Sequence, residues 1–215
     1  LFWQRDKLRT EVVPRSTAAT RQAGGDLAFM RLPVVWWCFA FFLLSTMTLA
    51  VIQSFAPSIM KAVHGVSVEV ATLTVSAYML CGALGMLVGG FVAAANPMSS
   101  DRVVALAMSA GALLLLVCAT GWLGGQGTLV ALAITGFAVG VGGPSRDMMI
   151  KKATPKGATG RVYGTVYSGL DLGFALSPAL FGLLMDRGWY ATTLAGAALV
   201  LGLSVVAAVG VGRRT

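Results

Sequence analysis

The sequence is poor in charge and nearly devoid of histidine, and both shortages limit what the protein can be. Charged residues make up only 11% of the 215 residues, while hydrophobic types make up 57%. A soluble fold of this size has too little interior for so much apolar side chain, which argues against an ordinary cytoplasmic enzyme. The single histidine offers little for acid–base catalysis or metal binding. The three cysteines, Cys38, Cys81 and Cys118, lie within apolar runs, so we expect free thiols.

Charge is missing from stretches long enough to cross a bilayer. Four runs carry none, namely 32–60, 70–100, 103–145 and 188–212, and a fifth, 162–185, carries only Asp171. A spanning helix needs about 20 apolar residues, so the run 103–145 accommodates two helices, with the glycine cluster 124–127 as the turn between them. Apolar and polar residues do not alternate as in barrel strands. The sequence therefore predicts an all-α membrane protein with six transmembrane helices, at 34–57, 70–95, 103–123, 128–146, 162–185 and 190–211.

The positive residues predict the orientation of these helices. With the N-terminus inside, the inside segments hold six Lys or Arg in 1–33, one at Arg102, five in 146–161 and two at the C-terminus. The outside segments hold only Lys61 and Arg187. Basic segments stay in the cytoplasm, so both termini are predicted to be cytoplasmic. The net charge of +8 then reflects orientation and indicates no nucleic-acid partner.

The orientation divides the chain into three parts. Residues 1–33 are predicted to be a flexible basic cytoplasmic segment, 34–211 the transmembrane domain, and 212–215 a cytoplasmic tail.

The stretch from the fourth predicted helix into the fifth carries the most informative pattern. Its glycine-rich helix end is followed by a compact basic loop and by a helix with small residues four apart. Such spacing lets helix backbones approach closely, and proline removes a backbone donor and can kink a helix. We therefore interpret as packing or kink positions Gly85, Gly89, Gly136, Gly140, Pro144, Gly169, Gly173 and Pro178.

This stretch, which ends in Gly182-Leu-Leu-Met-Asp186, resembles the tenth-to-eleventh-helix region of the major facilitator superfamily of secondary transporters. The resemblance implies the C-terminal half of a twelve-helix fold, built as two inverted three-helix repeats, with 1–33 as the end of the central loop. The chain begins with Leu1 rather than Met, so we expect a fragment that needs its N-terminal half or a second copy.

The loop between the second and third helices departs from the family pattern. Asp101-Arg102 follows an insert at 96–100 and lacks the Gly-Arg that often comes next in the family. The resemblance therefore does not carry the gating contacts of that loop over to this chain.

The resemblance implies transport by alternating access, with a small-molecule substrate, protons and the lipid bilayer as partners and no cofactor. The run from Pro155 to Gly164 and the pair Ser177-Pro178 resemble bacterial efflux-type members, which favours proton-coupled export or exchange in a bacterial inner membrane. Helices one and four would line the cavity, where Gln53, Ser54 and Thr135 are candidate polar groups. Interhelical hydrogen bonds are the alternative for Gln53 and Ser54. The alternatives are a non-transporting six-helix scaffold, an integral membrane enzyme and a channel.

Asp171 is the one ionisable residue well inside a predicted helix. A carboxylate at that depth costs about 2.5–3.5 kcal/mol on insertion scales, so Asp171 is a candidate coupling group. The alternative is a structural hydrogen bond or a solvated carboxylate. Arg146 and Asp147, together with Asp101 and Arg102, are candidates for a cytoplasmic gate. The alternative for Arg146 is a residue that sets topology beside a solvated aspartate.

Overall fold

Six long α-helices make up the computed structural model, which describes residues 32–95, 100–154 and 159–212. They are α1 (Pro33–His64), α2 (Val68–Ala95), α3 (Ser100–Ala119), α4 (Gly124–Ala153), α5 (Thr159–Asp186) and α6 (Tyr190–Gly212). Each is long and apolar enough to cross a bilayer, and no strand occurs in these ranges. The predicted all-α membrane fold with six helices is confirmed.

Some predictions fall on residues outside this description. The basic segment up to residue 31, most of the insert before Asp101, the part of the basic loop at 155–158 and the tail from 213 are not described. The predictions made for them stay predictions.

Two helices continue well beyond their predicted ends. The first continues through Pro57 to His64, where Gly65 adopts a φ of 62° and its N–H bonds to the carbonyl of Lys61. The fourth continues through Pro144 to Ala153, so that Arg146 lies about two turns inside the helix. A proline removes one hydrogen bond from the ladder, which neighbouring helices can compensate, and the helix therefore need not end there.

The turn between α3 and α4 lies earlier than the sequence predicts. Helix α3 ends at Ala119, and the connection uses Gly121 and Gly124, whose φ angles are 73° and 62°. The rest of the glycine cluster 124–127 belongs to the first turn of α4. The turn needs left-handed backbone, which glycine adopts without strain, and Gly121 supplies it just outside the predicted cluster.

The helices pack in a defined set of pairs. Helix α4 packs mainly against α2 and α3, helix α1 against α5 and α6, and α3 also packs against α6. Residue numbers rise together along α1 and α5, because Gly169 lies against Phe39 and Gly173 against Leu43, so these two helices are parallel. Helices α3 and α6 are antiparallel, since Asp101 at the start of α3 lies against Gly212 at the end of α6.

Glycines allow α2 and α4 to touch backbone to backbone. A methyl group at any of four glycines would overlap a carbonyl oxygen of the facing helix. The glycine and carbonyl pairs are Gly85 with Phe137, Gly89 with Val141, Gly136 with Tyr78 and Gly140 with Gly82. In a bilayer, where lipid is as apolar as leucine, such close contact supplies much of the attraction between helices.

Close backbone contact at glycine also joins α5 to α1, and an interhelical hydrogen bond adds to this contact. A methyl group at Gly173 would lie 2.7 Å from the carbonyl oxygen of Leu43. One turn further along, the buried hydroxyl of Ser177 donates to the carbonyl of Met47 at 3.0 Å. On the other side of α1, Thr48 donates to the carbonyl of Ala197 in α6 at 3.1 Å. Interhelical hydrogen bonds of this kind contribute about 0.6 kcal/mol each on average.

Two adjacent glycines of α2 test this packing directly. Gly89 lies against the backbone of Val141, whereas a methyl group at Gly90 would meet nothing within 4 Å. We expect Gly89→Ala to force the helices apart and destabilise the protein by about 1–3 kcal/mol, as overpacking does. Gly90→Ala should be neutral or stabilising by up to about 1 kcal/mol, because alanine is the better helix former. Thermal unfolding in detergent measures both, and equal melting temperatures for the two variants would contradict the close contact.

Candidate functional site

Asp171 lies near the midpoint of α5. At 1.5 Å per residue it is about 18 Å from Thr159 at one end and about 22 Å from Asp186 at the other. Its side chain is exposed on the six-helix bundle. Within the described part of the chain, no hydrogen bond or ion pair engages its carboxylate. The carboxylate therefore lies near the middle of a helix long and apolar enough to cross a bilayer, with no partner among the described residues.

The face of α5 that carries Asp171 is turned away from α1. Gly169, Gly173 and Ser177 lie against α1, while helical spacing groups Asp171 with Tyr167, Ser168, Phe174 and Ala175, all of them exposed. A carboxylate in direct contact with lipid tails is costly, and charged groups in membrane helices therefore face other protein or a water-filled space. We infer that this side of α5 borders a polar space and does not face the acyl chains.

An aromatic group lies beside this carboxylate, towards the start of α5. Tyr163 and Tyr167 stack with ring centroids 5.9 Å apart and an interplanar angle of 19°. Phe42 of α1 packs against Tyr167 at 5.3 Å. The guanidinium of Arg146 lies over the Phe42 ring, 4.6 Å from its centroid. Three helices thus contribute to one cluster of rings and charge.

Arg146 also pairs with its neighbour in sequence. Its Nε donates to Oδ1 of Asp147 at 3.2 Å, and the two side chains are 20% and 50% exposed, respectively. Arg146 is about 10 Å from the end of α4, whereas the sequence predicted that the helix would end at this residue. Both readings of this pair, as a gate or as a topology signal, stay predictions.

The other two gate candidates occupy the first turn of α3. The carboxylate of Asp101 lies against the backbone of Gly212, and Arg102 is exposed. They share the Arg146 end of the bundle, since each helix reverses the direction of the one before it.

The cavity candidates of α1 and α4 do not gather around Asp171. Gln53 and Ser54 are exposed, and the amide of Gln53 contacts the sulfur of Met79 at 3.6 Å. Since Gly169 lies against Phe39 and Gly173 against Leu43, Asp171 is level with Phe41, so Gln53 lies about 18 Å further along the bundle. Thr135 is fully buried and donates to the carbonyl of Ala131 at 2.8 Å. Their roles in a cavity stay predictions.

His64 and the three cysteines are the remaining groups that stood out in the sequence. His64 and Thr128 are 3.1 Å apart, Nε2 to Oγ1, and tie the end of α1 to the start of α4. Cys38, Cys81 and Cys118 are free, as expected. Sequence reasoning missed the aromatic cluster, although Tyr163, Tyr167 and Asp171 recur at intervals of four, the spacing that places side chains on one face of a helix.

Comparison with known proteins gives one match. A family model described as Major Facilitator Superfamily matches residues 24–214. No curated protein and no solved structure matches the chain. The matched range contains all six helices and every candidate residue named above.

Accessibility of single cysteines tests whether the Asp171 face borders water. We expect Asp171→Cys, in a background without the three native cysteines, to react with a charged, membrane-impermeant thiol reagent. Leu172→Cys is the matched control, because Leu172 is one residue further along and is also exposed, but points about 100° away around the helix. Labelling of purified protein in liposomes, read by mass shift, compares the two. Equal labelling of both cysteines would contradict a polar space on the Asp171 side.

Proposed function

The chain belongs to the major facilitator superfamily, and we propose that it carries half of the machinery of a secondary active transporter that works by alternating access. Members of this superfamily are membrane transporters rather than enzymes, and their transported solutes are small molecules. The finer assignment proposed here is proton-coupled export or exchange of a small organic solute. The exposed carboxylate of Asp171 at mid-membrane depth is the observation that carries it.

We further propose that the six helices form two inverted repeats and complete a transporter with an N-terminal six-helix half or a second copy. The helix pairs support this arrangement. Exchanging α1 with α4, α2 with α5 and α3 with α6 converts the α2–α4 pair into the α5–α1 pair. The same exchange converts α3–α4 into α6–α1 and leaves α3–α6 unchanged. Glycine-mediated backbone contact also occurs in both members of the first exchanged pair.

Asp171 has the properties needed in a proton-coupling group. A carboxylate at this depth changes the electrostatic energy of its surroundings by a full charge when it binds a proton. It is exposed towards the side of α5 that does not pack on α1, where a second half would meet it. Protonation is therefore able to alter how favourably this face closes against a partner surface.

Charge at the ends of the helices supports an inner-membrane location with both termini cytoplasmic. Among the described residues, one end of the bundle carries Arg102, Arg146, Lys151, Lys152 and Arg161, and the other end carries Lys61 and Arg187. Basic residues are retained on the cytoplasmic side of the bacterial inner membrane, so the first end is proposed to face the cytoplasm.

A non-transporting scaffold is the main alternative from another class. A scaffold has no need of an unpaired carboxylate at the centre of the membrane, which is costly to insert and hold there. An integral membrane enzyme needs several polar groups that converge, whereas Asp171 and Gln53 are about 18 Å apart along the bundle axis.

Replacing Asp171 tests the proposed coupling. We expect Asp171→Asn to abolish solute-dependent proton movement because the amide cannot bind and release a proton, while Asp171→Glu should retain part of it. The measurement is the change of internal pH in proteoliposomes, reported by a trapped dye, when candidate solutes are added.

Asp186→Asn provides the matched control for this experiment. Asp186 is also an exposed aspartate of α5, but it ends the helix far from mid-depth. We expect this variant to keep the proton flux of the unmodified protein. Full proton flux in Asp171→Asn would overturn the coupling role.

A further inference from the structure

Three side chains of α5, backed by one buried side chain of α1, form a surface that we name the aromatic–carboxylate strip. It consists of Tyr163, Tyr167 and Asp171, at intervals of four on α5, and of Phe42 behind them on α1. Tyr167 is 37% exposed and Asp171 is exposed, so the strip is open at its carboxylate end.

The ring faces of the strip are arranged to attract positive charge. The π-face of an aromatic ring is negative, and a cation within about 6 Å of the centroid is attracted to it. The structure already contains one such contact, the Arg146 guanidinium 4.6 Å from the centre of the Phe42 ring. Tyr167, which packs on Phe42, is one helical turn from Asp171, and the stack of Tyr163 on Tyr167 extends the aromatic surface from there towards the start of α5.

The charges around the strip leave one negative group free for a ligand. The carboxylate of Asp147, which lies near Tyr163, is already engaged by Arg146 at 3.2 Å. Asp171 has no such pair among the described residues. Lys151 and Lys152 lie beyond Arg146 towards the end of α4, and Arg161 is about 15 Å before Asp171 on α5. The open end of the strip therefore presents an unpaired carboxylate beside an aromatic surface.

From this combination we propose that the strip binds the transported solute and that the solute is an organic cation with an aromatic or other flat apolar body. The carboxylate of Asp171 pairs with the positive group, and the rings of Tyr167 and Tyr163 cover the apolar body. A cationic solute also removes the cost of holding Asp171 charged at this depth, which a neutral or anionic solute does not. This substrate class rests on the proposed transport function, although binding itself does not require transport.

Two probes of equal shape and opposite charge test the proposal. Tetraphenylphosphonium is a permanent organic cation with four phenyl rings, and tetraphenylborate is an anion of nearly the same size. We expect the purified protein in detergent to bind the phosphonium at least about tenfold more tightly than the borate, measured by equilibrium dialysis against protein-free micelles. Equal affinity for the two ions would overturn the proposal.

Substitutions at Asp171 and Tyr167 test whether the phosphonium binds to the strip. Asp171→Asn and Tyr167→Leu should each weaken phosphonium binding about tenfold or more, while Asp171→Glu and Tyr167→Phe should stay within about threefold of the unmodified protein. Asp186→Asn is the control and should change nothing. Unaltered phosphonium affinity in both Asp171→Asn and Tyr167→Leu would place the binding elsewhere and refute the proposal.

The binding experiment separates this inference from the proposed function. Phosphonium binding to the strip without solute-dependent proton flux in proteoliposomes would support the site and contradict proton-coupled transport. Proton flux with some other solute, together with no preference for phosphonium over borate, would support transport and refute the substrate class.

Discussion

Contact between helix backbones at glycine determines where the other groups of this bundle lie. Helices in a bilayer gain little from burying apolar surface against each other, since lipid offers the same environment. What holds them is close packing, and here it occurs between α2 and α4 and between α1 and α5. Once Gly169 and Gly173 fix which face of α5 lies on α1, every other side chain of α5 has its direction set. The outward position of Asp171 follows from that constraint.

The same constraint brings distant parts of the chain together. Parallel packing of α5 on α1 places Tyr167 beside Phe42, and α4 adds the guanidinium of Arg146 over that ring. The cluster belongs to three helices, of which α1 is far in sequence from α4 and α5. Its geometry therefore depends on helix register, so that a shift of one turn, about 5.4 Å, would separate the rings.

Sequence reasoning predicted the large features of the fold and missed several local ones. Long charge-free runs predict six helices because a bilayer imposes both length and polarity on every span. Helix ends are less constrained, since a helix can continue into the headgroup region, and the ends placed at Pro57 and Arg146 were therefore too early. The aromatic cluster was also missed, because pairing Phe42 with Tyr167 depends on tertiary packing that a single sequence does not contain.

The candidate polar groups fall into two classes, according to whether their own helix can provide a hydrogen-bond partner. A hydroxyl can donate to the carbonyl one turn earlier, as Thr135 does to Ala131, and it can then be buried like an apolar group. A carboxylate has no proton to donate when charged, and within a helix the backbone N–H groups near it are already used. Asp171 therefore needs a partner from outside its helix, and the described residues provide none. In apolar helices an exposed carboxylate is for this reason a stronger indication of a functional site than several threonines, and it directs attention to the side of α5 that faces away from α1.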